Sequence, residues 1–146
     1  MIGLSTLRHL DVLDTSAAAR VGRVDAPIVD ATKHRVTGLL VGGVEDGAVV
    51  LPWDAVVGFG PDAVTVAGAD GRRRPEDDLE RRAVEGGPTL IAARVLSDAG
   101  DLLGTVHEVR VKPSGIIAEV DLGDRVVPGT AIVGLGHHAL VVRADA

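Results

Sequence analysis

The 146-residue sequence predicts an all-β protein of two small sheet modules, sandwich or barrel in type, related by an internal repeat and joined by a charged, partly helical linker. Three observations carry this expectation. The stretch Val56–Val66, VVGFGPDAVTV, is written again without a gap at Ile132–Val142 as IVGLGHHALVV. Apolar runs are short, rich in valine and separated by turn residues at roughly the 8 to 12 residue spacing of all-β folds. Only Ala67–Pro88 breaks that rhythm, with dense charge of both signs.

Moving outward from the repeated stretch, Leu51-Pro52 answers Val127-Pro128, Val21-Gly22-Arg23-Val24 answers Leu103-Gly104-Thr105-Val106, and Val29 answers Val111. Repetition on this scale is read first because it decides the architecture. The expected organisation is a first domain over 1–68, a linker over 69–88 and a second domain over 89–146. Modules of about 65 residues bury little core on their own. They are therefore expected to lean on each other or on a second chain.

Taken in order, Leu10–Leu13 reads as a short strand, with Ser5 and Thr6 as turn signals before it. Arg20–Asp30 is extended and β-branched. Pro27 lacks an N–H, so it belongs at an edge or a bulge. Asp30–Arg35 is a polar hairpin turn, followed by strands at Val36–Val44 and Ala48–Leu51. Between them Glu45-Asp46-Gly47 supplies a glycine for the positive φ of a tight turn. Val64–Val66 closes the first module. In the charged segment, Pro75, the acids Glu76-Asp77-Asp78, the later Arg81-Arg82 and a terminal Gly86 predict a helix over Glu76–Glu85. The second module starts with a strand at Leu90–Ser97 and a turn at Ser97–Asp101 in which Asp bonds the local backbone. Leu102–Val111 reads as one strand, Lys112–Gly115 as a turn, and Ile116–Leu122 as an alternating strand with Ile116, Ala118, Val120 and Leu122 on one face.

Composition excludes several chemistries. Trp53 and Phe59 are the whole aromatic inventory and the net charge is −6. Both disfavour direct nucleic-acid binding, which relies on stacking platforms and phosphate neutralisation. With no cysteine, thiolate metal sites, disulfides and cysteine nucleophiles are all ruled out. No apolar run reaches the ~18 residues of a membrane span, and the N-terminus has no secretory pattern. A soluble, cytoplasmic protein is expected.

The residues then resemble the PRC-barrel domain family. The likeness rests on Val21–Val24, Ile28-Val29-Asp30, the strand Val36–Val41, the step Leu51-Pro52-Trp53-Asp54-Ala55-Val56 and the run Gly60-Pro61-Asp62-Ala63-Val64. The second module repeats the opening part as Asp98–Val106. It keeps Pro128, but has Gly129 in place of Trp53 and His137-His138 in place of Pro61-Asp62. The likeness covers the chain apart from its first dozen residues and the linker. It implies two compact barrels of about six strands each, and a role in docking on protein assemblies rather than catalysis. It also implies, as an alternative, an accessory role in RNA processing or ribosome assembly like that of the C-terminal domain of RimM-type maturation factors.

No catalytic residue, cofactor site or metal site is expected. His137 and His138 are adjacent, so on a strand they would face opposite ways and share no ion. They are the only candidates for a third reading, a small-ligand or metal sensor. Ser5, Ser16, Ser97 and Ser114 sit in turn-like contexts outside any nucleophile elbow. The Gly-x-Gly pairs at 58/60 and 134/136 lack the third glycine and helix of a dinucleotide site. Candidate interaction residues are Trp53 with Pro52, either as a core cap or as an interface anchor, and Arg72, Arg73 and Arg74, either as a solvated spacer or as a site for an acidic partner. His137 and His138 complete the set. The expected partner is a protein, and self-association into a homo-oligomer is a further expectation.

Overall fold

A computed structural model describes residues 1–68 and 71–145. Residues 69 and 70 of the expected linker lie outside the described residues. The chain forms two compact units. The N-terminal unit holds Thr6–Ile28 and Thr37–Gly86, and the C-terminal unit holds Met1–Ser5, Val29–Val36 and Gly87–Ala146. Two pieces of the first half, 1–5 and 29–36, thus belong with the second.

In the N-terminal unit one six-stranded sheet dominates. Its strands are β2 (Asp11–Asp14), β3 (Ala19–Asp30), β4 (Arg35–Gly42), β5 (Val50–Pro52), β6 (Val56–Phe59) and β7 (Ala63–Val66). They are ordered β5-β4-β3-β2-β7-β6, with β2 and β7 parallel. The outer ends of β3 and β4 fall in 29–36 and so in the other unit. Pro27 is accommodated because β2 pairs only with Ala19 to Arg23 of β3, leaving the stretch around Pro27 free of that ladder. The turn before β5 places Gly47 at φ 77°, as its lack of a Cβ permits.

The sheet is open, where the family likeness implied a closed barrel. Its two edge strands, β5 and β6, are consecutive in sequence and joined by a 3-10 turn at Trp53–Ala55. Pro52 has no N–H to extend a ladder, and the turn carries the chain between edges in place of strand pairing. Apolar side chains make the core of this unit: Val12, Leu39, Val50, Leu51 and Val64 are wholly buried.

The C-terminal unit contains two four-stranded sheets. The first is β1 (Ile2–Gly3), β10 (Glu108–Val111), β11 (Ile117–Asp121) and β12 (Val126–Pro128), in that spatial order. The second runs β13 (Ile132–Leu135), β14 (Leu140–Val142), β8 (Arg94–Ser97) and β9 (Leu102–Thr105). The hairpin tip 29–36 joins this unit through Arg35 opposite Ile116, with Val36 N–H on the Gly115 carbonyl and Ile117 N–H on the His34 carbonyl, both 2.8 Å. His34 Nε2 donates to the Ile132 carbonyl at 2.9 Å.

Pairing registers recur along the chain. β6 and β7 pair Val56↔Val66, Gly58↔Thr65 and Phe59↔Val64, with a bulge before Gly58. β13 and β14 pair Ile132↔Val142, Gly134↔Val141 and Leu135↔Leu140, a single constant offset away, with the bulge at the same step. β2 against β3 and β8 against β9 behave alike, as Val12↔Gly22 and Leu13↔Arg20 answer Val95↔Gly104 and Leu96↔Leu102.

Several expectations are corrected. The first strand of the second half starts at Arg94 rather than Leu90, because Ala93 N–H turns back to the Leu90 carbonyl and Ala92 sits at φ 70°. Leu102–Val111 is two strands broken at Val106-His107. In β11 the alternation is reversed at its start: Ile117 is buried while Ile116 is 42% exposed. The cause is a bulge, since Arg110 faces Glu119 and Val111 faces Ile117, so Ala118 is an extra residue. The Ser97–Asp101 turn is held by Ser97, whose buried Oγ accepts from the Ala99 and Asp101 N–H groups at 3.2 Å. A short helix, α1 (Leu4–Leu7), follows β1 and was not expected.

Candidate functional site

The charged segment packs on the N-terminal unit as a strap. Its helix, α2 (Asp78–Val84), is capped by Asp77, whose carboxylate accepts the Glu80 N–H at 2.8 Å. Glu80 is buried and takes both arms of Arg73, at 2.6 and 2.7 Å. Arg73 also pairs through its backbone with Val50 on the open side of β5, N–H to carbonyl in both directions at 2.8 and 2.9 Å. Arg72 reaches Asp46 at 3.2 Å and the Ala48 carbonyl at 2.9 Å. Arg74 donates to the Asp46 carbonyl at 2.6 Å. The three arginines are therefore engaged within their own unit, neither a solvated spacer nor a free cationic cluster. Their carboxylate partners respond: Arg73 holds Glu80 below the usual carboxylate range, and Arg72 does the same to Asp46.

Of the two roles open to Trp53, its placement is that of a packing residue. It is 5% exposed and stacks on Phe59 with ring centroids 4.3 Å apart. Pro52, half-buried, sets the entry to the 3-10 turn at φ −57°. The buried indole and the Phe59 ring, the two aromatic side chains of the sequence, thus pack on each other beside that turn. At the corresponding turn of the C-terminal unit, a Cβ on Gly129 would stand 1.9 Å from the Ile117 carbonyl oxygen. Only glycine fits there.

His137 and His138 are exposed in the turn between β13 and β14, with the His138 carbonyl accepting from Arg94 Nε at 3.3 Å. Among the described residues no group of three or more His, Cys, Asp or Glu side chains could hold a metal ion.

What sequence reading missed is the distribution of exposed aliphatics. Val57 on β6, Leu102 on β9, Val126 on β12 and Val133 on β13 are 65, 63, 52 and 50% exposed. All four strands are edges of their sheets. Val57 and Val133 are the bulge residues skipped by the two registers described above, and each is turned outward by its bulge. The signal was present as a valine before each Gly-x-Gly pair, but without the bulge its face could not be assigned.

A mostly-β chain with this strand arrangement matches a known domain model. The PRC-barrel domain model covers residues 1–73, half of the chain, and the protein belongs to the PRC-barrel domain family. The match begins at residue 1, so the opening dozen residues fall inside it, contrary to expectation. No curated protein matches the chain. Among the described residues no helix is long and apolar enough to cross a membrane.

Proposed function

We propose that this protein is a non-catalytic binding module of PRC-barrel type that docks on a larger protein assembly, and that residues 89–146 are a second PRC-like copy. The equal registers and bulge positions of the two sets of strands support the second statement. The observation that carries the first is the placement of exposed Val and Leu side chains on the open sheet edges. Edge strands expose unpaired N–H and C=O groups, and natural proteins usually blunt them with charge. Four edges that instead present Val57, Leu102, Val126 and Val133 are suited to burial against a partner.

Lysine at Leu102 and Val133 tests this. Partner recovery from native lysate should be lost while the melting temperature is unchanged, and recovery should survive nuclease. Unchanged recovery in the double variant, or recovered material that nuclease destroys, would overturn the reading.

A further inference from the structure

Resting on that docking reading, one edge can be assigned its occupant. In the N-terminal unit, β5 pairs with β4 as Gly38↔Pro52, Leu39↔Leu51 and Leu40↔Val50. Its outer side is closed by the strap: Val50 exchanges two backbone bonds with Arg73, and the Val50 side chain is fully buried. Arg72 meanwhile pairs with Asp46 in the turn before the strand.

In the C-terminal unit, β12 pairs with β11 in the same pattern, Glu119↔Pro128, Val120↔Val127 and Asp121↔Val126. Leu122 N–H bonds the Arg125 carbonyl as Val41 N–H bonds the Val49 carbonyl, both 2.8 Å. Antiparallel ladders alternate, so Val126, like Val50, turns its N–H and C=O away from its neighbour. Among the described residues nothing meets those groups, and the Val126 side chain is half exposed. Asp124, in the turn before β12, is exposed and forms no ion pair among the described residues, not even with Arg125 beside it.

We propose that the β12 edge accepts an extended basic segment of a partner protein. That segment adds as a strand with its backbone on Val126 and an arginine or lysine on Asp124, as the strap does on Val50 and Asp46. Main-chain bonds give such an addition its affinity, and the flanking charge its selectivity. A carboxylate awaiting a cation, on a chain of net charge −6, favours a basic occupant.

The test uses the full-length chain labelled with nitrogen-15 and a capped synthetic peptide GRRRP, the sequence of residues 71–75, with GEEEP as control. Amide shifts should centre on Val126 and its neighbours with GRRRP and be absent with GEEEP. Asp124→Lys should weaken binding at least tenfold, and Val126→Pro, which removes the N–H, should abolish it. If Val126→Pro fails to fold, Asp124→Lys decides alone. Shifts centred on Val50, equal binding of GEEEP, or no binding would overturn the proposal. So would a dimer in sedimentation that Asp124→Lys dissolves, since the occupant would then be a second copy. Peptide failure with partner loss retained in the Leu102 and Val133 lysine variant would sink this proposal and leave the docking reading standing.

Discussion

The guanidinium of Arg73 closes on the carboxylate of Glu80 through two parallel bonds, Nη1 to Oε1 at 2.6 Å and Nη2 to Oε2 at 2.7 Å. The same residue pairs by its backbone with Val50, so one arginine ties helix α2 to the edge of the six-stranded sheet. Removing one arm of a forked, largely desolvated pair costs more than an exposed ion pair would. Glu80→Gln is expected to destabilise the protein by about 2 kcal/mol, the scale of a lost hydrogen bond to a charged group. Urea denaturation measures this, and an unchanged midpoint would show that the strap does not hold the unit.

The same contact sets a pH dependence. Glu80 is held below its ordinary value of 4.5, chiefly by the Arg73 hydrogen bond. A depressed folded-state value means the stabilisation is complete above the unfolded value and is lost as pH falls through the folded one. Stability should therefore decline on acidification below about pH 4.5, the unfolded-state value. Asp14, Asp46 and Asp121 are shifted the same way, through Ser16, Arg72 and the Gly123 N–H respectively, so Glu80→Gln should flatten the decline without abolishing it. Denaturant midpoints from pH 7 to pH 3 provide the comparison, and an identical slope in the variant would contradict the assignment.

Trp53 offers an internal probe, being the single tryptophan. Its burial predicts a blue-shifted emission that moves red on unfolding. Trp53→Ala should cost about 4 kcal/mol, the range for emptying a large aromatic site. Partner recovery measured well below the melting point should persist. Loss of partner with unchanged stability would reinstate Trp53 as an anchor.

Gly129 and Gly134 give a paired test of backbone crowding. A Cβ at Gly129 meets the Ile117 carbonyl at 1.9 Å, whereas at Gly134, its chain neighbours aside, nothing among the described residues lies within 4 Å. Gly129→Ala should lower stability by more than about 2 kcal/mol, as overpacking against backbone does. Gly134→Ala should be close to neutral. Similar melting temperatures for the two variants would contradict the placement of the Gly129 turn.

Much of the fold was legible because β patterning is local. The runs at Arg20–Asp30 and Val64–Val66, the hairpin at Asp30–Arg35 and the helix with its Asp and Arg ends were all readable from alternation, turn residues and capping chemistry. What escaped depends on pairing. The bulge at Ala118 reverses which isoleucine is buried, and no period-two count can find it without knowing the opposite strand. Membership of 1–5 and 29–36 in the C-terminal unit is likewise a long-range fact. At the candidate site, the acceptors of Arg72 and Arg74, Asp46 and the Ala48 carbonyl, lie in a turn remote in sequence, while the Arg73 partner Glu80 is near in sequence but its burial depends on how the helix packs.

The most direct test of the docking account is site-resolved photo-crosslinking in living cells. A photoreactive residue is placed in turn at Val57, Leu102, Val126 and Val133, with exposed Thr32 and Arg82 as controls. The account predicts discrete protein adducts from edge positions and none from the controls. Adducts to nucleic acid, or equal labelling at edge and control positions, would contradict it.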